Sequence, residues 1–190
     1  MSHLQTHDLP AAPARLALPG VVQGLAAAAV LVGGGALAWA FGTGRTELAW
    51  SSYLVGAFFA LGLAVFGVAW LAMLYLAGAD WSVTMRRIPE AMTAWLLPGG
   101  VLAMGVVLGA HSLYHWWHPE AVAQDELLLH KAPFLNTTMF TVLMAVSLAL
   151  WVAFAARMVA LSRRQDREGG YGATRASRTL SAVFLVVFAI

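Results

Sequence analysis

The chain has 190 residues, of which 61% are hydrophobic and only 11% charged, and its formal net charge is +2. A soluble domain needs about a quarter of its residues charged to cover its surface, so most of this surface faces lipid or apolar protein. The absence of cysteine excludes disulfides, thiolate zinc sites and iron–sulfur ligation by the chain itself, and loop-confined arginines give no support for nucleic-acid binding.

Four uncharged runs follow one another along the chain: Gly20–Gly44, Leu48–Ala79, Ala91–Ser112 and Ala132–Ala156. Each reaches the roughly 20 apolar residues that a helix needs to cross about 30 Å of hydrocarbon. None shows the alternation of a membrane strand. The expected fold is an all-α polytopic membrane bundle with four complete transmembrane helices and the start of a fifth.

A tail over residues 1–17 precedes the first span, predicted near Leu18–Phe41. Ala38-Trp39-Ala40 has the small-residue spacing of a signal cleavage site, but the apolar run is too long for a signal core, so the span is read as retained. Its Gly33-Gly34-Gly35 run, and Gly56, Ala60 and Ala64 in the second span (Ala49–Leu76), are small residues of the kind that let membrane helices approach closely.

The connection that follows reads Asp80-Trp81-Ser82-Val83-Thr84-Met85-Arg86-Arg87-Ile88-Pro89-Glu90. Its two acids can neutralise its two arginines in a compact interfacial turn, or Asp80 and Glu90 can admit protons. The third span is predicted as one helix from Pro89 to His115. Pro98-Gly99-Gly100 lies near its middle, where proline frees the carbonyl of Ala94 and favours a kink.

The far end of the third span carries the most chemistry. His111, His115 and His118 share one face if the helix continues to Pro119, with Tyr114, Trp116 and Trp117 interleaved. His130 and Lys131 return before the fourth span. Imidazoles on one stripe suit a metal or haem, imidazoles with carboxylates suit proton exchange with a quinone, and an aromatic belt at the headgroups needs no chemistry at all. Haem is disfavoured because no second intramembrane histidine faces the stripe, and no metal is assigned to the chain.

The fourth span is placed at Asn136–Leu161, within a transmembrane bundle covering 18–161. Its Asn136, Thr137, Thr138, Thr141 and Ser147 either bond the preceding turn or line a polar path. An Arg-rich loop over 162–178 and the start of a fifth helix over 179–190 complete the reading, the last too short to span and so expected to be truncated. Nine of the eleven Lys and Arg residues fall on the N-terminal side, which predicts a cytoplasmic N-terminus.

Two stretches together resemble a known family. One is Trp81-Ser82-Val83-Thr84-Met85-Arg86-Arg87-Ile88-Pro89-Glu90. The other joins His111-Ser112-Leu113-Tyr114-His115-Trp116 and Leu129-His130-Lys131-Ala132-Pro133-Phe134-Leu135-Asn136 to the Arg163–Asp166 end of the fourth span. In this order, over roughly 48–168, they resemble the F-type membrane subunit of bacterial alternative complex III, within the polysulfide-reductase-like membrane anchors.

The resemblance implies a larger protein of two four-helix bundles in a bacterial inner membrane. It would be a subunit of a quinol:acceptor oxidoreductase rather than an enzyme by itself. It implies menaquinol or ubiquinol as substrate of the complex, and iron–sulfur clusters and haem c in partners rather than cofactors on this chain. The implied partners are an iron–sulfur protein, a multihaem cytochrome c, a related C-type membrane subunit, quinone and membrane lipid. It carries over His111, His115, His130 and Lys131 as proton-relay or quinone-site candidates, and Asp80, Arg86, Arg87 and Glu90 as their cytoplasmic counterpart. A small-solute or ion transporter, suggested by the Pro98 kink, and a membrane cytochrome b anchor, suggested by the histidines, are the competing readings.

Overall fold

A computed structural model of the protein describes residues 18–79, 81, 85–168 and 172–189. The tail over 1–17, Asp80 and the 82–84 part of the second connection lie outside the described residues. The described residues are predominantly helical, with no strand among them, and four helical segments are long and apolar enough to cross a membrane: Gly20–Gly42, Thr46–Leu76, Arg87–Leu113 and Thr137–Arg167. The protein is a multi-pass, all-α membrane protein.

The chain divides after Gly44 into two compact units. The first holds helix α1 (Gly20–Gly42), whose glycine run is exposed. Its last turn is closed by the Thr43 amide and hydroxyl, which both donate to Trp39 O at 2.9 Å.

The second unit is built on α2 (Thr46–Leu76). Helix α2 ends on Gly78, which adopts φ +60°, the left-handed conformation that glycine takes without a Cβ penalty. There the Ala79 amide donates to Leu74 O and the Gly78 amide to Tyr75 O, the paired bonds of a Schellman stop. Arg178 Nε, reaching in from the last helix, also donates to Tyr75 O.

The third span is broken rather than continuous, which corrects the single helix expected over Pro89–His115. It comprises α3 (Arg87–Thr93), α4 (Leu96–Gly105), a 3₁₀ turn over Val106–Gly109 and α5 (Ala110–Leu113). The first break falls at Ala94–Trp95, four residues before Pro98. Pro98 has no amide to offer Ala94 O, so the chain tightens, with the Ala94 and Trp95 amides turning to Ala91 O and Met92 O. Pro98 itself then sits in the first turn of α4, where a missing donor costs nothing.

The second break, at Val106, leaves a carbonyl that lipid could not satisfy. Tyr53 of α2 supplies the donor, its hydroxyl bonding Leu102 O at 2.7 Å. Helix α2 can come this close because the facing positions are glycines. A Cβ on Gly105 would overlap the Tyr53 ring, one on Gly109 the Trp50 indole, and one on Gly67 the Met92 side chain of α3.

Beyond α5, a 3₁₀ turn (His115–Trp117), α6 (Pro119–Gln124) and α7 (Glu126–Lys131) form the connection between the third and fourth spans. Helix α8 (Thr137–Glu168) follows. Asn136 opens it, its side-chain oxygen accepting from the Met139 amide at 2.8 Å. Thr141 bonds Thr137 O, the local bond open to a hydroxyl in such a helix.

Helix α8 runs on to Glu168 and α9 occupies Gly172–Ala189. The loop expected over 162–178 is therefore mostly helix, and the last helix begins seven residues before Thr179. Packing explains the difference. Helix α9 lies against both α2 and α8, burying Ser177, Ser181 and Phe184, so tertiary contact overrides the polar composition of its first turns.

The core joins Leu61, Val68 and Leu71 of α2, Leu96 of α4, Met158 of α8 and Phe184 of α9. Outside it the surface is apolar, with Phe59, Val101 and Leu108 among the many large exposed side chains. Filling the α2–α4 approach should be costly: Gly109→Val is expected to lower stability by about 1–3 kcal/mol through overpacking. Gly56→Ala, at an exposed position with open space, should change it by less than about 0.5 kcal/mol. Reversible unfolding in mixed detergent micelles measures both.

Candidate functional site

The candidate residues separate into two groups, one at the start of the third span and one at its far end and in the connection that follows. The Arg-rich end is the more tightly built. Arg86 and Arg87 stand at the start of α3, and Glu90 lies one turn on. Glu90 is thereby i+4 from Arg86 and i+3 from Arg87, within reach of both.

The fourth member comes from α8. Arg86 Nη2 donates to Asp166 Oδ1 at 2.7 Å and Nη1 to Gln165 Oε1 at 3.2 Å. Arg87 spans the same two carboxylates, bonding Glu90 Oε2 through Nη1 and Asp166 Oδ2 through Nη2. Arg86 Nε faces Glu90 Oε1 at 3.5 Å, a Coulombic contact too long to be a good hydrogen bond. The side chains of Arg86 and Glu90 are only 10% and 6% exposed, so neither charge can fall back on water. Gln165 extends the network to α9 by donating to Thr174 Oγ1 at 2.7 Å.

The structure thus joins three of the four candidates at this end, Arg86, Arg87 and Glu90, while Asp80 lies outside the described residues. It adds Asp166 and Gln165, which no local pattern singled out. Two signals were available: the Arg163–Asp166 stretch belongs to the resemblance, and Asp166 is the single acid between Arg157 and Arg167.

At the opposite end the three histidines do not share a helical face, because the condition for it, a helix continuing to Pro119, is not met. Helix α5 stops at Leu113 and Tyr114 is extended (φ −117°, ψ 125°). The turn nevertheless folds His118 back onto His111. Their rings meet edge to face at 4.6 Å, and His118 Nε2 lies 3.1 Å from His111 O.

His115 is exposed on the other side of Tyr114. His130 and Lys131, at the end of α7, are exposed as well, and among the described residues no hydrogen bond, ion pair or ring contact links either to the His111–His118 pair. Of the four residues expected to act together at this end, none touches another in this way. Among the described residues no three metal-ligating side chains are grouped.

What Tyr114 does build is an aromatic floor. Its ring stacks on Trp116 at 5.2 Å and meets Phe140 of α8 at 5.5 Å, tying the connection after the third span to the fourth. Burial raises the Tyr114 phenol above its ordinary 10.0, because the phenolate is the form that loses hydration.

The chain matches no protein-family model and no curated protein.

Two measurements check these geometries. Glu90→Gln removes a buried carboxylate that faces the buried Arg86 and bonds the half-exposed Arg87, and should cost about 3 kcal/mol of stability. A double-mutant cycle with Arg86→Met should recover much of that loss. For Tyr114, the difference between wild type and Tyr114→Phe in a 295 nm titration should be a phenolate step with its midpoint above pH 10.0. A step at or below that value would mean that the ring is not desolvated.

Proposed function

We propose that the chain is a membrane subunit of a respiratory quinol:acceptor oxidoreductase of the alternative complex III type, supporting electron transfer from quinol and, through its two polar ends, proton movement. One observation carries this reading. The separate stretches of the resemblance, Trp81–Glu90 and Arg163–Asp166, are far apart in sequence, yet Arg86 and Arg87 bond directly to Asp166. Residues that define the resemblance are therefore partners in one ionic cluster, a pattern expected of a shared architecture.

Two further features support the reading. The broad exposed apolar surface suits a subunit embedded among lipids and other membrane subunits. The third span has no Asp, Glu, Lys or Arg between Glu90 and Ser112, which suits a scaffold with entry or exit sites better than a complete proton wire. In this reading the Arg-rich end faces the cytoplasm of a bacterial cell, following the positive-inside distribution. Quinone exchange would lie at the His111–His118 end, with iron–sulfur clusters and haem c held by partner subunits.

The test is isolation of the chain from its native membrane in mild detergent. An iron–sulfur protein and a multihaem cytochrome c should co-purify with it, and quinol-dependent reduction of the haem should accompany the complex. Isolation as a single species, with no redox partner and no haem absorbance, would overturn the proposal.

A further inference from the structure

Beside the ionic cluster, a groove of about 550 Å³ runs between the α3–α4 junction and α8, within the size range of small-ligand sites. Its two ends differ chemically. Glu90, Thr93, Arg163 and Arg167 line one end, and Leu96, Leu97, Val152, Ala155 and Val159 line the other. On α8 these residues follow the three-and-four spacing of a single helical face, so the groove lies along this membrane-spanning helix.

The charges at the polar end are unequal. Arg86 and Arg87 are neutralised by Glu90 and Asp166. Arg163 and Arg167 are exposed and have no ion pair among the described residues. Four guanidiniums facing two carboxylates leave two positive charges, and both project at the mouth of the groove. Glu90 does not cancel them, because its carboxylate is already committed to the α3 arginines.

The length is equally informative. Arg163 to Val152 is about 16 Å along an α-helix, which is close to the thickness of one bilayer leaflet, about 15 Å. A slot with a cationic mouth and an apolar floor one leaflet deep has the dimensions of a single lipid. Basic pockets between membrane helices take anionic headgroups, and a zwitterionic headgroup would leave the two charges uncompensated.

We propose that this groove is a specific binding site for one anionic phospholipid, with its phosphate at Arg163 and Arg167 and an acyl chain laid along α8 towards Val152. The site is independent of any redox role of the chain. By holding lipid against α3 and α8 together, it braces the outer side of the joint that Arg86, Arg87 and Asp166 close from within.

The experiment uses the full chain in nanodiscs of phosphatidylcholine, doped with phosphatidylglycerol carrying a diazirine on its acyl chain. Photolabelling is expected at Leu97 and around Val152–Val159, displaced by unlabelled phosphatidylglycerol but not by phosphatidylcholine or by glycerol phosphate. The R163Q/R167Q double variant should bind roughly 30-fold more weakly, the product of two arginine contributions at a lipid surface. Ala156→Phe, which obstructs the apolar part while leaving both arginines in place, should also reduce labelling. Equal competition by phosphatidylcholine, retention of labelling in the double variant, or labels distributed over other helices would each overturn the site. Competition by glycerol phosphate alone would make it a soluble-anion site and overturn the lipid assignment.

Discussion

Two arginines side by side at the start of a membrane helix, one of them almost wholly buried, must be met by carboxylates or remain in water. Here they are met twice, by Glu90 within α3 and by Asp166 across on α8. The local partner fixes the rotamers of both guanidiniums. The distant one converts a helix end into a joint between two spans, and Gln165 carries the same connection to α9. Burying such charges is costly, and their mutual attraction repays it only with good geometry. The return here is specificity of position: α3 can dock on α8 in the one register that brings both guanidiniums to Asp166, and the groove beside the joint exists because that register is held.

The rest of the third span has the opposite problem, a surplus of backbone groups where water is scarce. Pro98 removes a donor and the 3₁₀ turn after Gly105 redirects others to nearer carbonyls, and each break is paired with a device that limits its cost. At Ala94–Trp95 the chain tightens onto nearer carbonyls, and at Leu102 the Tyr53 hydroxyl takes the freed oxygen. The second device depends on Gly105 and Gly109, since any larger residue would push α2 away and withdraw the tyrosine. Broken membrane helices are tolerated where a neighbour re-satisfies them, and this span obeys that rule residue by residue.

Much of this was legible in the sequence and some of it was not. The spans were readable because apolar length is a one-dimensional signal, and the observed helices α1 and α2 begin and end within about three residues of the expected positions, the usual scatter of helix ends. Glu90 with Arg86 and Arg87 was readable as well, because helical spacing alone brings them together. Asp166 was not, since its partners lie 79 and 80 residues away and no local pattern encodes that distance. The histidine stripe failed for a complementary reason. Spacing places His111, His115 and His118 on one face only while the helix lasts, and Tyr114 leaves it. The polar first half of α9 was unreadable because its helicity comes from packing on α2 and α8, while composition argued for a loop.

The two ends of the bundle therefore hold their shape by different physics, and this governs what each can do. At the Arg-rich end, fixed charges in paired geometry leave a net positive mouth that attracts anions from the membrane surface. At the other end, ring packing of Tyr114, Trp116 and Phe140 supplies the rigidity, and the titratable groups sit on top of that floor. The His111–His118 contact adds to that rigidity, since it folds the turn after Leu113 back onto the end of the third span.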